Sequence, residues 1–516
     1  MINELDSQHV QAHADVVVIG AGIAGLILAQ KLDERGIRVA VIESGGWKPS
    51  ECDSLFSDVS FSRRRYNGAL EGRSRCLGGT SVKWGGALMP FQATDYTNRP
   101  KFGHIGWPID PEEISSFIPQ VESLFGLEHD EYDALLPQVF QPDASQEFKA
   151  REAKWPRFPD RNVATLFADN LRRSDQQQIW LNSHVTSFSF NQGRLNKVVA
   201  TNSKGGELSV LARYFVICAG AVETTRLMLM LESSNEGAIL GNAHLGKYLQ
   251  DHLSYPLATL NSVDKRKTNS LAGFRFDGQV MRSLRFERAV AGKPSAFVHI
   301  APKSSGRSGF DAAKDFMRSI QRREPQFGAM FRAAADIPYM TELAYWRFKK
   351  KRLLWPTSAK HEVHIVVEQA ARKENSIRLS NERDSMGVPK VVIDWDLGKQ
   401  DLEIFREVCG RFDMFWKSSN WSVLGALEWI EDPWELQFSD IEGADDVYHP
   451  VGTTRMAFDA GAGVVDGDLK VFGVENLHLA ATSVFPNGGT ANPTMTLILL
   501  VLRLSNFLSR QLMRSK

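Results

Sequence analysis

The sequence has little cysteine. Cys52, Cys76, Cys218 and Cys409 are the only four in 516 residues, and they are widely separated. No CxxC pair is present, so the sequence offers no zinc ribbon and no thioredoxin-type site. Nothing in this cysteine usage requires an oxidising compartment.

An excess of charge of one sign is also missing, since Lys+Arg and Asp+Glu both number 61. The chain therefore lacks the electrostatic signature of a nucleic-acid-binding protein. Residues 1–14 contain neither a basic nor an apolar stretch of the kind that begins a signal peptide. Apolar runs such as those at 16–19 and 495–502 fall short of the ~20 residues of a membrane span. We therefore predict a cytoplasmic protein with no transmembrane segment and no nucleic-acid partner.

What is present is an ordinary globular composition, with 43% hydrophobic residues and 40 glycines. A chain of this length can bury a large core without disulfides or metals. At roughly 150 residues per domain, the length suggests about three domain-sized units.

The first structural pattern is a compact βαβ unit. Residues 15–19 form a short β-branched run, residues 26–32 have the pattern of a helix, and residues 38–42 form a second apolar run. A glycine-rich turn joins the first strand to the helix, and Glu43 closes the second strand. This order is typical of a dinucleotide-binding unit.

Gly20, Gly22 and Gly25 form the GxGxxG pattern of that turn. The first glycine permits the tight turn, the second lets the backbone approach a pyrophosphate, and the third lets helix and strand pack closely. A phosphate would lie at the helix N-terminus, and Glu43 would accept the ribose hydroxyls. The motif alone does not distinguish NAD from FAD, and a glycine-rich turn without a ligand is the alternative.

A second glycine-dense loop spans residues 75–86. Four of its last nine residues, 78–86, are glycine: Gly78, Gly79, Gly85 and Gly86. Such a backbone suits close contact with a flat or polyanionic ligand, although a plain turn has the same composition.

Further motifs follow in an order that resembles one family, the glucose–methanol–choline (GMC) flavin oxidoreductases. The resemblance spans nearly the whole chain. It is carried by GxGxxG, the loop with Gly78, Gly79, Thr80, Ser81 and Trp84, Gly106-Trp107-Pro108, Cys218 to Leu227, Glu368-Gln369, Asn375 to Ser380, and the C-terminal segments at 448–456 and 477–494.

The resemblance implies an α/β fold, α+β overall, with a Rossmann-type FAD-binding domain and an inserted substrate domain built on an antiparallel sheet. The implied boundaries are 14–105, 162–256 and 446–516 for a discontinuous FAD-binding domain, 106–161 for a connecting segment, and 257–445 for the substrate domain.

The implied cofactor is FAD in an extended conformation. The implied cofactor-binding residues are Gly20, Gly22, Gly25, Glu43, Gly78, Gly79, Thr80, Ser81, Trp84, Val185, Ala219, Gly220, Ser483, Pro493 and Thr494. Some sugar oxidases of the family attach FAD to a histidine at the position that is Lys83 here. We therefore expect non-covalent FAD.

The resemblance also implies that His449 faces the substrate carbinol and that Asn492 is its partner. A neutral imidazole can accept the hydroxyl proton, and an amide can orient the hydroxyl. His449 could instead be a buried structural histidine. Asn492 could be only a helix N-cap, because Asn followed by Pro493 is a common helix start.

The implied function is FAD-dependent oxidation of a primary or secondary alcohol, with a sugar, aminosugar or glycoside-like polyol favoured. Oxidation of a sterol or other hydrophobic alcohol is the first alternative, and a non-catalytic flavin-binding or electron-carrier protein is the second. The electron acceptor would be oxygen or another carrier.

Three other features remain. His361 and His364 are three residues apart in a strand pattern, which places them on opposite faces and argues against a metal site. The basic and aromatic segment 345–355 could contact a membrane surface or an acidic redox partner, or be a solvated helix end. Asp251-His252 also occurs in the family, without an assigned chemistry.

Overall fold

The computed structural model describes residues 1–49, 58–140, 147–234, 242–303, 309–322, 328 and 337–514. Cys52 lies outside them. Two large sheets dominate the described part of the chain, one parallel and one antiparallel, and each has its own apolar core. The fold class expected from the sequence is confirmed.

The six-stranded sheet is parallel throughout and contains the predicted βαβ unit. Its central strands are buried runs of β-branched residues, as expected for a sheet covered on both faces. In order across the sheet, the strands are Ile2–Glu4, Gln177–Leu181, Val39–Ile42, Val16–Ile19, Tyr214–Ile217 and Leu477–Leu479.

Two helices pack together over this sheet, Ile23–Asp33 and the C-terminal Thr494–Arg514. The C-terminal helix is long and apolar enough to cross a membrane by length and composition, which the short apolar runs of the sequence did not suggest. However, 72% of its most apolar window is buried inside the protein. Its apolar residues belong to the core of the six-stranded sheet.

The eight-stranded sheet is antiparallel. Along the strand Val280–Arg288, Leu284 and Phe286 face a core that includes the helix Lys399–Ser418. Arg285 and Glu287 therefore point to the opposite face. The strands are Arg275–Asp277, Val280–Arg288, Ala296–Pro302, His361–Glu368, His252–Ser262 and Gly425–Trp429 in order, with Phe148–Trp155 paired to the second and Asp445–Asp446 to the fifth.

Some strands come from parts of the chain that the sequence did not mark as strands. Ile2–Glu4 joins the six-stranded sheet beside Gln177–Leu181. Phe148–Trp155, from the segment expected to be connecting, joins the eight-stranded sheet. The domain boundaries given above stay a prediction.

Two smaller sheets and further helices complete the described part. The smaller sheets contain His9–His13, Glu207–Leu211, Arg194–Thr201 and His184–Asn191, and Ser376–Arg383, Pro389–Asp394 and Val59–Phe61. The other α-helices are Pro111–Ser115, Ile118–Leu124, Phe158–Arg161, Val163–Leu166, Ala168–Arg173, Gly220–Ser234, Lys265–Ala272, Gly309–Gln321, Ile337–Tyr345 and Phe438–Ile441. Trp346–Lys350 is a π-helical turn, and Asn67–Ala69, Gly79–Val82, Ala93–Tyr96, Pro100–Phe102, Gln138–Phe140, Asn420–Leu424 and Thr482–Val484 are 3₁₀ turns.

Candidate active site

The GxGxxG turn has the geometry that its glycines require. Gly20 has φ +104°, and a Cβ there would lie 2.7 Å from the carbonyl oxygen of Cys218. A Cβ on Gly25 would lie 1.9 Å from the carbonyl oxygen of Gly20. A Cβ on Gly22 would meet only the Cα of Gly79, at 3.9 Å. Gly20 and Gly25 are thus needed for the fold of the turn, whereas Gly22 leaves open space.

The helix Ile23–Asp33 begins at this open place, and no side chain caps it at Gly22. A helix N-terminus offers free N–H groups and the positive end of the helix dipole, which favour an anion. The open backbone at Gly22 and the uncapped helix start therefore fit the pyrophosphate of FAD.

The second glycine-rich loop lies against this turn. The amide of Gly78 donates to the carbonyl of Ala21 at 2.9 Å. Gly79 has φ +52°, and a Cβ there would lie 2.8 Å from the Cα of Gly22. The two loops therefore form one glycine-lined surface, and Thr80 follows in the 3₁₀ turn Gly79–Val82.

Two polar side chains of this loop already have partners within the protein. The Ser81 hydroxyl accepts the amide of Val163 at 3.1 Å and is buried. The indole of Trp84 donates to the carbonyl of Arg161 at 2.7 Å. Both side chains hold the loop in place, and their predicted contact with the cofactor stays a prediction.

Glu43 is buried at the end of the strand Val39–Ile42. Its carboxylate accepts the amides of Ala21 and Gly45, each at 2.8 Å. Burial raises the pKa of Glu43, and these two backbone hydrogen bonds oppose that rise. Glu43 therefore fixes the shape of the glycine turn from within, in addition to any ribose contact.

Other predicted cofactor residues follow the carboxyl ends of neighbouring parallel strands. Ile19, Ile217 and Leu479 lie level with one another across three strands. The segments after them therefore meet at one edge of the sheet, where open α/β folds bind ligands. These segments contain Gly20, Ala219, Gly220 and Ser483.

Within this edge, Gly220 has φ +74°, and a Cβ there would meet no atom within 4 Å. The Ser483 hydroxyl accepts the Thr454 hydroxyl at 2.7 Å, which ties together the two C-terminal motifs. Val185 is buried near the start of His184–Asn191, the strand that follows Gln177–Leu181.

His449 and Asn492 come together, as the sequence predicts. Nδ2 of Asn492 lies 3.1 Å from Nε2 of His449. Both residues keep part of their surface accessible. Burial lowers the pKa of His449 well below its usual value, and the neighbouring His252 and Arg285 lower it further. His449 is therefore a neutral base at physiological pH. Pro493 and Thr494 follow Asn492 directly, and Thr494 begins the C-terminal helix.

The structure adds His252 to this pair. Nδ1 of His252 lies 3.1 Å from Nδ1 of His449, and Nε2 of His252 lies 2.8 Å from the carbonyl oxygen of Gly489. His252 begins a strand of the eight-stranded sheet. The Asp251-His252 motif was the only sequence signal, and it carried no chemistry until this contact was visible.

Arg285 also reaches the pair, from the strand Val280–Arg288. Its Nη1 donates to Oδ1 of Asn492 at 3.1 Å, and its guanidinium lies 4.7 Å from the ring centroid of Phe297. Burial lowers the pKa of Arg285 to about 10, with Glu287 opposing that shift, so the group stays charged at neutral pH. A single arginine in an alternating strand has no sequence signature, so sequence reasoning missed it.

The face of the eight-stranded sheet that bears His252 and Arg285 continues with aromatic and polar rings. Phe297 contacts both of these residues, and His299 follows on the same face. The rings of His299 and His364 stack with centroids 5.0 Å apart and an interplanar angle of 14°. Burial, with His364 and Arg285 nearby, lowers the pKa of His299 to about 3.

His361 lies on the opposite face, against Trp355 at 5.2 Å between ring centroids, as its spacing from His364 predicts. No cluster of three or more His, Cys, Asp or Glu side chains suited to a metal occurs in the described ranges.

In the basic aromatic segment 345–355, Trp346 is buried and Arg347 stacks on Phe276 at 3.8 Å, whereas Phe348 is 76% exposed.

Comparisons with known proteins agree with this architecture. Residues 371–500 match the GMC oxidoreductase family, and residues 15–57 match an FAD binding domain. The 2-methyl-1,2-propanediol dehydrogenase of Mycolicibacterium austroafricanum is 21% identical, over 96% of this chain and 95% of that protein.

Solved structures share the fold. Formate oxidase from Aspergillus oryzae gives a TM-score of 0.56 at 16% identity, over 97% of this chain and 98% of the other. Pyridoxine 4-oxidase from Mesorbium loti gives 0.55 at 16% identity, over 96% and 99%. The resemblance seen in the sequence motifs is therefore confirmed: the chain belongs to the GMC oxidoreductase family, and it is an FAD-dependent enzyme that acts on the CH–OH groups of alcohols.

Proposed function

We propose that this enzyme oxidises a polar, hydroxyl-rich alcohol, such as a sugar, aminosugar or glycoside-like polyol, to its carbonyl. His449 is the base and Asn492 orients the hydroxyl. The observation that carries the proposal is the pairing of Nε2 of His449 with the Asn492 amide at 3.1 Å, facing the polar side of the eight-stranded sheet.

The reaction divides between the protein and its cofactor. The hydroxyl proton passes to Nε2 of His449, and the hydrogen on the carbinol carbon leaves with its electron pair, so the C–O bond becomes a carbonyl. FAD, when bound, supplies the acceptor for that hydride. Arg285 places a positive charge beside Asn492, where negative charge develops on the substrate oxygen.

The surroundings of the pair support a polar substrate. Arg285, His299 and His364 lie on the sheet face that meets His449 and Asn492, beside the apolar side chains of Phe297 and Val366. A sterol would leave the hydrogen-bonding groups of these side chains without partners, which costs free energy. The Arg285 cation also disfavours a quaternary ammonium substrate such as choline.

We further propose that FAD is held without a covalent bond at residue 83, which is lysine. Acid precipitation should therefore release FAD into the supernatant. Flavin that stays with the washed pellet would contradict this part of the proposal.

An anaerobic flavin-bleaching screen tests the substrate class. The panel contains sugars, aminosugars, glycosides, 2-methyl-1,2-propanediol, pyridoxine, choline and a sterol. We expect the hydroxyl-rich compounds to bleach the flavin fastest and choline and the sterol to be poor substrates. Bleaching by the sterol alone would favour the hydrophobic alternative, and no bleaching at all would favour a non-catalytic flavin protein. Admitting air to the reduced enzyme then shows whether oxygen is the acceptor.

His449→Ala tests the base. Its flavin reduction should slow by ~10²–10⁴-fold, the usual contribution of a positioned general base, with FAD content unchanged. His478→Asn is the matched control, because His478 is buried in the six-stranded sheet away from the pair. An unchanged reduction rate in His449→Ala would place the base elsewhere.

A further inference from the structure

His252 is held in one orientation between a backbone carbonyl and the ring of His449. Only 1% of its surface is exposed. Its Nε2 lies 2.8 Å from the carbonyl oxygen of Gly489, and its Nδ1 lies 3.1 Å from Nδ1 of His449. The two rings are nearly perpendicular, at 86°.

These partners determine where the protons lie. The carbonyl oxygen of Gly489 can only accept, so Nε2 of His252 carries the hydrogen. Nδ1 of the neutral His252 ring is then a lone pair. Since Nδ1 of His449 lies at hydrogen-bond distance from that lone pair, it must be the donor. Nε2 of His449 is therefore left as the lone pair.

The other end of the network leads to the same assignment. The guanidinium of Arg285 can only donate, so it faces the oxygen of the Asn492 amide. The Nδ2 group of Asn492 then donates toward Nε2 of His449. The Gly489 carbonyl can only accept a hydrogen bond and the Arg285 guanidinium can only donate one. These two groups therefore fix the direction of every hydrogen bond in the network between them.

The backbone of both histidines is held by a single buried carboxyl. Asp251 accepts the amide of His252 at 2.7 Å and the amide of His449 at 3.0 and 2.8 Å. Burial lowers the pKa of both histidines, which keeps the rings neutral. The ring-to-ring contact is thus fixed by the fold.

We propose that His252 is a positioning residue that keeps the proton of His449 on Nδ1, so that the lone pair on Nε2 accepts the substrate hydroxyl proton in place of the Asn492 amide hydrogen. When Nε2 takes the hydroxyl proton, the Nδ1–H group of His449 continues to donate to His252, which stabilises the imidazolium. This inference rests on the proposed role of His449 as the base.

A first experiment reads the proton position without any turnover. The holoenzyme is labelled with ¹⁵N-histidine, and the signals of His449 are identified by their loss in His449→Ala. We expect His449 to carry its hydrogen on Nδ1 in the wild type. In His252→Leu, Nδ1 of His449 has lost its acceptor, and we expect this loss to outweigh the remaining contact with the Asn492 amide, so that the Nε2–H form becomes populated. A hydrogen on Nε2 of wild-type His449 would overturn the proposal.

A second experiment measures anaerobic flavin reduction in His252→Leu and His252→Asn. His252→Leu should be slower by about 10²-fold, because a base in the wrong tautomer loses most of its contribution. His252→Asn should lie within about tenfold of the wild type, because its amide can accept from Nδ1 of His449 and donate to Gly489. His478→Asn, the same replacement at a distant buried histidine, should leave the rate unchanged.

The outcomes separate this inference from the proposed function. If His449→Ala is slow but His252→Leu reduces its flavin like the wild type, the positioning role is wrong and the base assignment stands. If both His252 variants are equally slow, His252 has a packing role that an acceptor does not restore, and the inference fails. If no alcohol bleaches the wild type, the proposed function fails, and the ¹⁵N measurement still decides the tautomer.

Discussion

The two large sheets contribute different chemical groups to the active site. On the side of the six-stranded sheet, the surface is mostly backbone: Gly20, Gly22 and Gly79 bring main chain to the place where a pyrophosphate fits. On the side of the eight-stranded sheet, the surface is made of side chains, with Arg285 and His252 reaching the catalytic pair.

The surface that binds FAD and the surface that faces the alcohol therefore place different requirements on the sequence. A backbone surface serves every member of a family that binds the same cofactor, because it depends on space and free N–H groups. A side-chain surface can change with the substrate while the strands beneath it keep their apolar alternation. Binding of FAD and choice of alcohol should therefore respond to different substitutions.

Of the effects that separate the two surfaces, the largest is expected on the side-chain surface. Arg285→Met should slow anaerobic flavin reduction by ~10²–10³-fold, the usual cost of removing a donor that stabilises developing negative charge. The affinity for FAD should not change, because Arg285 contacts Asn492 and Phe297 rather than the glycine loops. Stopped-flow reduction and FAD titration of the apoprotein measure the two quantities.

Two variants control for the loss of charge at Arg285. Lys149→Met removes an exposed cation from the neighbouring strand and should have no effect on either quantity. Arg285→Lys keeps the charge but loses the planar guanidinium with its paired N–H donors. Its flavin reduction rate should therefore lie between the rates of Arg285→Met and the wild type. If Arg285→Met weakened FAD binding as much as it slowed reduction, the two surfaces would not be separable.

A smaller effect is expected at the backbone surface. Gly22→Ala should weaken FAD binding by about 1–3 kcal/mol through crowding of the pyrophosphate. The apoprotein should keep its stability, because the new Cβ meets only the Cα of Gly79 at 3.9 Å. Gly25→Ala is the contrasting variant: its Cβ would lie 1.9 Å from the carbonyl of Gly20, so apoprotein stability should fall as well. Equal losses of stability in the two variants would contradict the assigned roles.

The same difference explains what the sequence could predict. The glycine turns, the central parallel strands and the pairing of His449 with Asn492 were predictable, because each depends on local backbone demands or on a motif tied to the cofactor. Glu43 was placed correctly at its strand end. Its bonds to the amides of Ala21 and Gly45 became visible only in the folded turn.

Arg285 and His252 could not be assigned a role from the sequence. Each lies on a strand whose alternation predicts a face, but not which residue of a distant segment that face will meet. Arg285 is 207 residues from Asn492, and His252 is 197 residues from His449. Phe148–Trp155 was missed for a related reason, since charged side chains on it are buried in ion pairs that mask its pattern, such as Lys154 with Glu122.

The smallest expected effect concerns acid stability, and it tests whether a buried histidine far from the side-chain surface affects folding alone. His478 lies in the six-stranded sheet with none of its surface exposed, and burial lowers its pKa to about 3. In the unfolded chain its pKa is about 6.5. As pH falls below that value, the unfolded state takes up a proton that the folded state does not, so the free energy of unfolding decreases.

From pH 7 to about pH 5.5, this single histidine should lower the free energy of unfolding of the wild type by about 1.3 kcal/mol, at roughly 1.36 kcal/mol per pH unit below 6.5. The free energy of unfolding of His478→Asn should fall by about that much less over the same interval. Its flavin reduction rate should equal that of the wild type. Urea unfolding at saturating FAD at both pH values measures the difference. Parallel pH dependences in the two proteins would mean that His478 is protonated in the folded state, and that burial in this sheet does not exclude charge as the structure indicates.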